Sequence, residues 1–322
     1  MKYIRFIKDW ALPISMLSGV VSYFIFVNIH ALDSTHAFVL KAISGYIQPM
    51  LIFCMLFVSF CKVSIKQLKP RRWMMWSLLI QTISFTGLGA LIIAFPEIKG
   101  KVVIESAMLC MICPTATAAA VVTAKLNGNS SAVVSYTCLI NLAVSLVVPA
   151  IVPLLHDTHT DLTFWSSFFI ILHKVFPTLI FPLILALILQ VIAPKAHGKI
   201  LSYKNLAFNL WIVALALAIG ITTRAIIHTE ESITSLAGIA IASLCCCLIQ
   251  FVLGRIIGVK YGEAIAGTQT LGQKNTVFAI WMGATFMNPV TATAGGFYSV
   301  WHNIFNSYQM YQARKALANK QK

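Results

Sequence analysis

The sequence predicts an all-α polytopic membrane protein: ten transmembrane helices laid out as a 5+5 inverted repeat, with broken, crossing helices at spans four and nine. Three observations carry that prediction. The composition is too apolar for a soluble domain, ten apolar windows are long enough to cross a bilayer, and two of those windows are interrupted by polar or helix-breaking residues. Of the 322 residues, 59% are hydrophobic and 10% charged, with a mean hydropathy of +0.84. A soluble domain carries about 25% charged residues. The formal charge of +15 raises nucleic acid as a partner, but basic residues also collect in the cytoplasmic loops of membrane proteins. Their positions decide between the two.

The windows fall near 10–29, 36–61, 73–95, 101–126, 130–155, 164–193, 206–227, 233–257, 261–286 and 289–309; about twenty apolar residues suffice to span. The first follows Lys2, Arg5 and Lys8. It is too long for a signal-peptide core and no small-residue cleavage site follows, so it reads as a retained span. Threading the chain through ten spans sorts the charges. Lys2, Arg5, Lys8, Lys62, Lys66, Lys69, Arg71, Arg72, Lys125, Lys195, Lys199, Lys204, Arg255, Lys260, Arg314, Lys315, Lys320 and Lys322 fall on one side. Lys99, Lys101 and Arg224 fall on the other, with Asp33, Glu97, Asp157, Asp161, Glu230 and Glu231. Eighteen against three places both termini in the cytoplasm, in short tails 1–9 and 310–322. The charge is then explained by the lipid bilayer as partner, without nucleic acid, and the expected location is a bacterial inner (plasma) membrane.

All eight cysteines lie in or beside apolar segments, and Cys110-x-x-Cys113 lacks the soluble context of a redox motif. They read as small packing residues. Lys41 can snorkel from the end of span two. Lys174 reaches the headgroups if the sixth segment begins as an interfacial helix, and lines a cavity if it does not.

Lys274 lies mid-span in KYGEAIAGTQTLGQKNTVFAIWMGATFMNP, residues 260–289. A lysine at the bilayer centre costs roughly 2.5–3.5 kcal/mol on insertion scales, so it should face protein or water. Irregular backbone at that depth needs the same shelter. Span nine is therefore expected to break at Gly272. Ten spans split into five and five, and an odd number per half inverts the second half; interrupted segments at corresponding positions then mark the substrate site. Span four answers with Pro114, followed by Thr115 and Thr117. Glu105 precedes Pro114 by nine residues, as Glu263 precedes Gly272. Half-helix N-termini aimed at one place suit an anion. The candidate donors are Thr115 and Thr117 on one side and Gln273, Asn275 and Thr276 on the other. They point to a small organic anion, most simply a carboxylate, carried by alternating access.

These residues resemble the bile acid:sodium symporter family. CPTATAAAVVTAKLNGN, residues 113–129, is similar to the family's Cys-Pro-Gly-Gly-Thr-Ala-Ser-Asn crossover. FYSVWHNIFNS, with Trp301, His302 and Asn303, is similar to its Ser-Val-Trp-His-Asn segment, and Gln81 stands where members carry a glutamine in span three. The resemblance implies a panel domain (spans 1, 2, 6 and 7; about 10–61 and 164–227) and a core domain (about 73–155 and 233–309). It also implies two sodium sites behind the crossover, and there the sequence departs. The family's serine and asparagine become Ala119 and Ala120, the span-five serine falls at Val133, and Thr137 remains. The family's Glu-x-Gly-x-Gln-Asn is matched by Thr270 to Asn275, with Lys274 at the glutamine; sliding the match puts Gln269 or Ile265, never a carboxylate, at the glutamate. Hard cations take oxygen ligands and favour carboxylates. An ammonium in their place should expel sodium, with Lys274 standing in for the cation and bracing the crossover.

A lysine there could exchange a proton during transport, remain a fixed charge, or pair with the substrate. Proton coupling and sodium-independent uniport both fit. Residual sodium use through Gln81, Thr137 and backbone carbonyls is the alternative. No resident cofactor or metal is expected; Na+ or H+ would be a coupling ion. An enzyme would need a nucleophile with its base or a metal cluster, and the spans hold no His-x-x-x-His or paired carboxylates. A receptor on a transporter scaffold is a further alternative, opposed by tails of about ten residues. The crossover and Ser-Val-Trp-His-Asn segments argue against the related carriers of auxin-like acids or arsenite.

Overall fold

The computed structural model describes residues 11–29, 35–63, 68–155, 163–203 and 205–320. Lys2, Arg5, Lys8, Asp33, Lys66, Asp157, Asp161, Lys204 and Lys322, part of the charge sorting above, lie outside the described residues. The elements are all helical: α1 (Ala11–Val27), α2 (His36–Ala42), a π-helical turn Ile43–Ile47, α3 (Gln48–Cys61), α4 (Arg72–Ala94), α5 (Lys101–Ile112), α6 (Ala119–Lys125), α7 (Ser130–Ile151), α8 (Phe164–Ile192), α9 (Pro194–Ser202), α10 (Leu206–Ile227), α11 (Ile233–Lys260), α12 (Ala264–Gly272), α13 (Thr276–Phe286) and α14 (Ala292–Lys320). Among the described residues there is no strand, only one isolated bridge between Thr115 and Lys274.

Among the described residues, six uninterrupted helical stretches are long and apolar enough to cross a membrane: His36–Cys61, Arg72–Ala94, Ser130–Leu154, Phe164–Ile192, Leu206–Ile227 and Ile233–Lys260. Large apolar side chains such as Phe38, Met50, Ile83, Val191, Ile192 and Ile233 stand exposed on them. Such a surface suits lipid, not water. The protein is an integral membrane protein.

Two helical courses are broken. The chain leaves helix at Cys113 and re-enters at Ala119, and leaves again after Gly272 to re-enter at Thr276. Pro114 explains the first interruption, since it supplies no N–H to a helical ladder. At the second, Asn275 draws the chain into a new helix: its Oδ1 accepts the Phe278 N–H at 3.2 Å as an N-cap.

Hydrogen bonds gather the interhelical loops at two ends. At one, Glu263 ion-pairs with Arg71 and accepts from Asn129 Nδ2 at 3.0 Å. There too His197 Nε2 meets the Cys61 carbonyl at 2.8 Å and Trp76 Nε1 donates to Tyr261 at 3.0 Å. At the other end Tyr23 meets His228 at 2.9 Å, and the Glu105 carboxylate stands beside the backbone of Asn288. The first end carries Lys62, Arg71, Arg72, Lys125 and Lys260. The segment after α8 folds as the short helix α9, seated against Cys61 through His197.

Two further lysines of the spans sit in different settings. Lys41 is exposed near the end of its span. Helix α8 runs unbroken from Phe164, so no separate interfacial helix carries Lys174. Its ammonium instead lies 5.7 Å from the ring centroid of Phe286, at the end of α13.

Candidate functional site

The two interruptions lie against each other. Ala116 N donates to Gln273 O and Asn275 N to Pro114 O, both at 2.8 Å, so the broken strands of chain pair as a single antiparallel rung. Thr115 Oγ1 donates to Thr270 O at 2.7 Å, and Cys113 Sγ approaches Asn275 O at 3.0 Å. Unpaired backbone at this depth would cost several kcal/mol per group. Each break satisfies much of the other's need.

Beside this crossing lies a cavity of about 890 Å³. One wall comes from the ends of α3 and α10, with Met55, Ser59, Lys62, Phe208 and Trp211. The other comes from Ala116–Ala118, α6, the start of α7, Gln273–Thr276 and α14. Lys62 and Lys125, both exposed, stand at its mouth, and no Asp or Glu is among the described lining residues. At the opposite end the walls are joined: Trp281 Nε1 of α13 donates to Ser44 O in the π-helical turn at 2.7 Å. The cavity therefore opens at the end that gathers the basic loops.

The sequence-derived candidates divide. Thr117, Gln273, Asn275 and Thr276 border the cavity, and Gln273 Oε1 is buried without a hydrogen-bond partner among the described residues. Thr115 does not belong with them. It is fully buried, does not line the cavity, and spends its hydroxyl on Thr270 O, so it fastens the crossing and does not offer a donor to a solute. Lys274 borders the cavity, but its side chain is 1% exposed and turned inward. Among the described residues its ammonium has no hydrogen-bond partner, and the titratable groups within its electrostatic reach are the thiols of Cys113, Cys110, Cys246 and Cys247. It does not brace the crossing through its ammonium. Gln81 Nε2 donates to the carbonyls of Met111 (2.9 Å) and Cys113 (3.2 Å), and Thr137 Oγ1 donates to Val133 O within its own helix.

Three cavity residues were not singled out as substrate contacts from sequence: His302, Asn303 and Asn306 of α14. His302 Nδ1 and both polar atoms of the Asn306 side chain are buried without partners among the described residues. Buried polar atoms left unmet in a cavity wall are natural contacts for a solute. The signal was present, since three polar residues at i, i+1 and i+4 interrupt an apolar span, but their direction depends on how α14 packs.

The chain is similar to a transporter. Over 215 residues it is 24% identical to the uncharacterized sodium-dependent transporter YocS of Bacillus subtilis, a match covering 65% of this chain and 64% of that protein. The chain thus aligns with just under two thirds of the length of that relative. No protein-family profile matches. The likeness, joined to six membrane-length apolar helices, supports a membrane transporter and is consistent with the non-enzymatic reading.

Proposed function

We propose that this protein is a secondary transporter that moves a small organic anion, most simply a carboxylate, by alternating access. The observation that carries the reading is the cavity. It lies between two walls, opens at the basic end, is closed at the other by the Trp281–Ser44 contact, and ends on two broken helices. Alternating access needs one wall to move against the other around a site at their junction. The walls correspond to the panel (about 10–61 and 164–227) and core (about 73–155 and 233–309). Both termini then lie in the cytoplasm of a bacterial inner (plasma) membrane, and the cavity faces inward. The first turn of α13 and the lysines at the mouth favour negative charge.

The ten-span inverted repeat is part of this proposal, supported by a reciprocal pairing. Glu105, near the start of broken span four, stands beside the backbone of Asn288, which follows broken span nine. Glu263, at the start of span nine, binds Asn129, which follows span four. Asn129 Oδ1 caps the Ala132 N–H and Asn288 Oδ1 caps the Val290 N–H, at 3.1 and 3.2 Å. Two halves related by a two-fold axis in the membrane plane would pair in this way.

Coupling falls to Lys274, beside the crossing, through proton exchange, or the carrier is a sodium-independent uniporter. The name of the Bacillus subtilis relative, a sodium-dependent transporter, favours a second reading, sodium-coupled transport with a rebuilt cation site. Uptake of labelled organic acids into proteoliposomes, with sodium and pH gradients imposed separately, decides. Uptake indifferent to sodium and driven by a pH gradient, with the drive lost in Lys274→Ala, is expected; sodium-driven uptake would sink the lysine-based scheme. Failure of every organic anion tried, against accumulation of a neutral or cationic solute, would remove the anion reading itself.

Asn275 gives a finer test. Asn275→Ala removes the α13 cap at a cost of about 1 kcal/mol, and uptake should fall with stability. Asn275→Asp keeps a capping oxygen but sets a carboxylate on the cavity wall. It should melt near the wild-type temperature yet lose at least tenfold in uptake. Wild-type uptake in Asn275→Asp would contradict anion binding there.

A further inference from the structure

The last carbonyls of α5 and α12 have no partner within their own helices, because the chain breaks there. In a carrier of the kind proposed above, such carbonyls are where a coupling cation would be held. Here four of them, Cys110 O, Met111 O, Thr270 O and Gly272 O, already accept side-chain hydrogen bonds. Gln81 Nε2 reaches Met111 O and Cys113 O. Gln250 Nε2 lies 3.2 Å from Cys110 O and 3.2 Å from the Tyr298 hydroxyl, which in turn donates to Gly272 O at 3.0 Å. Thr115 covers Thr270 O. The glutamine orientations follow from chemistry: a carbonyl only accepts, so the amide must turn its NH2 toward it. Gln81 Oε1, the atom that could have faced a cation, instead accepts from Tyr136 at 2.6 Å.

The arrangement recurs on the two sides of the crossing. Gln81 of α4 pairs with Tyr136 of α7, and Gln250 of α11 pairs with Tyr298 of α14. All four side chains are fully buried or nearly so, at 0–1% exposure. Each N–H or O–H aimed at a carbonyl puts positive charge where a cation's would lie. Gln250 Oε1, like Gln273 Oε1, is left without a partner among the described residues; both are neutral amide oxygens, weaker ligands for a hard ion than carboxylates. The titratable groups within electrostatic reach of Lys274 are thiols, which add no hard oxygen ligand.

We propose that two neutral glutamine–tyrosine pairs, Gln81–Tyr136 and Gln250–Tyr298, hold the crossing of the broken helices in place of bound sodium. They are positioning residues: Gln81, Gln250 and Tyr298 touch the backbone at the crossing, and Tyr136 holds Gln81. This deepens the transporter reading, rests on it for the role of the crossing, and assigns to neutral donors the bracing that the sequence assigned to Lys274.

The test uses purified full-length protein in detergent and needs no known substrate. Its thermal midpoint is measured in sodium chloride and in choline chloride at equal ionic strength, over a range of concentrations. The wild type should melt identically in the two salts. Tyr298→Phe and Gln81→Leu each leave a carbonyl unmet and should melt roughly 2–6 °C lower, equally in both salts. Saturable stabilisation of the wild type by sodium would overturn the proposal, because it shows a cation site at work. Wild-type melting of Tyr298→Phe and Gln81→Leu would overturn it too, since the pairs would then hold nothing. Should a variant fail to fold, the comparison of salts on the wild type still decides. Uptake is scored separately: loss of anion transport with sodium-indifferent melting would defeat the transporter reading and leave the pairs intact.

Discussion

Lys274→Met should raise the thermal midpoint of the purified protein by roughly 2–6 °C while abolishing any response of uptake to a pH gradient. Lys274 is among the largest fully buried side chains, and its nitrogen has no hydrogen-bond partner among the described residues. A buried donor left unmet costs about 1–3 kcal/mol, and more if charged. Methionine keeps an unbranched chain of similar length, adapts to an irregular interior and needs no hydrogen-bond partner. A residue retained against its own cost to stability is expected to serve function. Differential scanning fluorimetry beside proteoliposome uptake gives both readouts. A fall in midpoint with unchanged uptake would make Lys274 a structural brace after all, and the coupling role would be withdrawn.

Gly267→Leu should prevent recovery of folded protein, and Gly267→Ala should lower the midpoint and uptake together. Helices α11 and α12 touch backbone to backbone. A Cβ at Gly267 would stand 2.4 Å from Gly254 O and 2.9 Å from Gly258 Cα; one at Gly254 would stand 2.3 Å from Gly267 O. Neither neighbour is a flexible side chain that could step aside. Gly254 and Gly258, four apart, form the small-residue face that lets two membrane helices approach. Overpacking of this kind costs about 1–3 kcal/mol for a single methyl and more for larger groups. Because α12 ends in the crossing, the helix cannot back away without moving Gln273–Asn275. The Gly254→Ala/Gly267→Ala double variant should cost less than the sum of the singles, since one separation relieves both contacts. Gly87→Ala is the control: nothing lies within 4 Å of a Cβ there, and it should be neutral. Equal effects at Gly87 and Gly267 in melting and size-exclusion profiles would defeat the packing argument.

The residues most readable in advance were those whose meaning is local. Pro114 cannot donate wherever the fold puts it, and a lysine amid an apolar run is costly in any packing, so both interruptions could be located from neighbouring residues alone. Thr115 shows where local reading stops. It follows the proline as a free donor would, but Thr270, 155 residues away, presents the carbonyl that takes its hydroxyl. His302 and Asn306 show the converse, since only the rotation of α14 turns them into the cavity.

By itself the sequence determined that the chain belongs in a membrane and where its helical courses break, because transfer of apolar side chains and loss of a backbone donor are properties of short segments. The tertiary structure decided which carbonyl each donor meets, which polar atoms face the cavity, and that the Lys274 ammonium is buried with no hydrogen-bond partner among the described residues. Those outcomes depend on contacts between residues up to 237 positions apart. Hydropathy and spacing carry no information about the angle at which two distant helices cross.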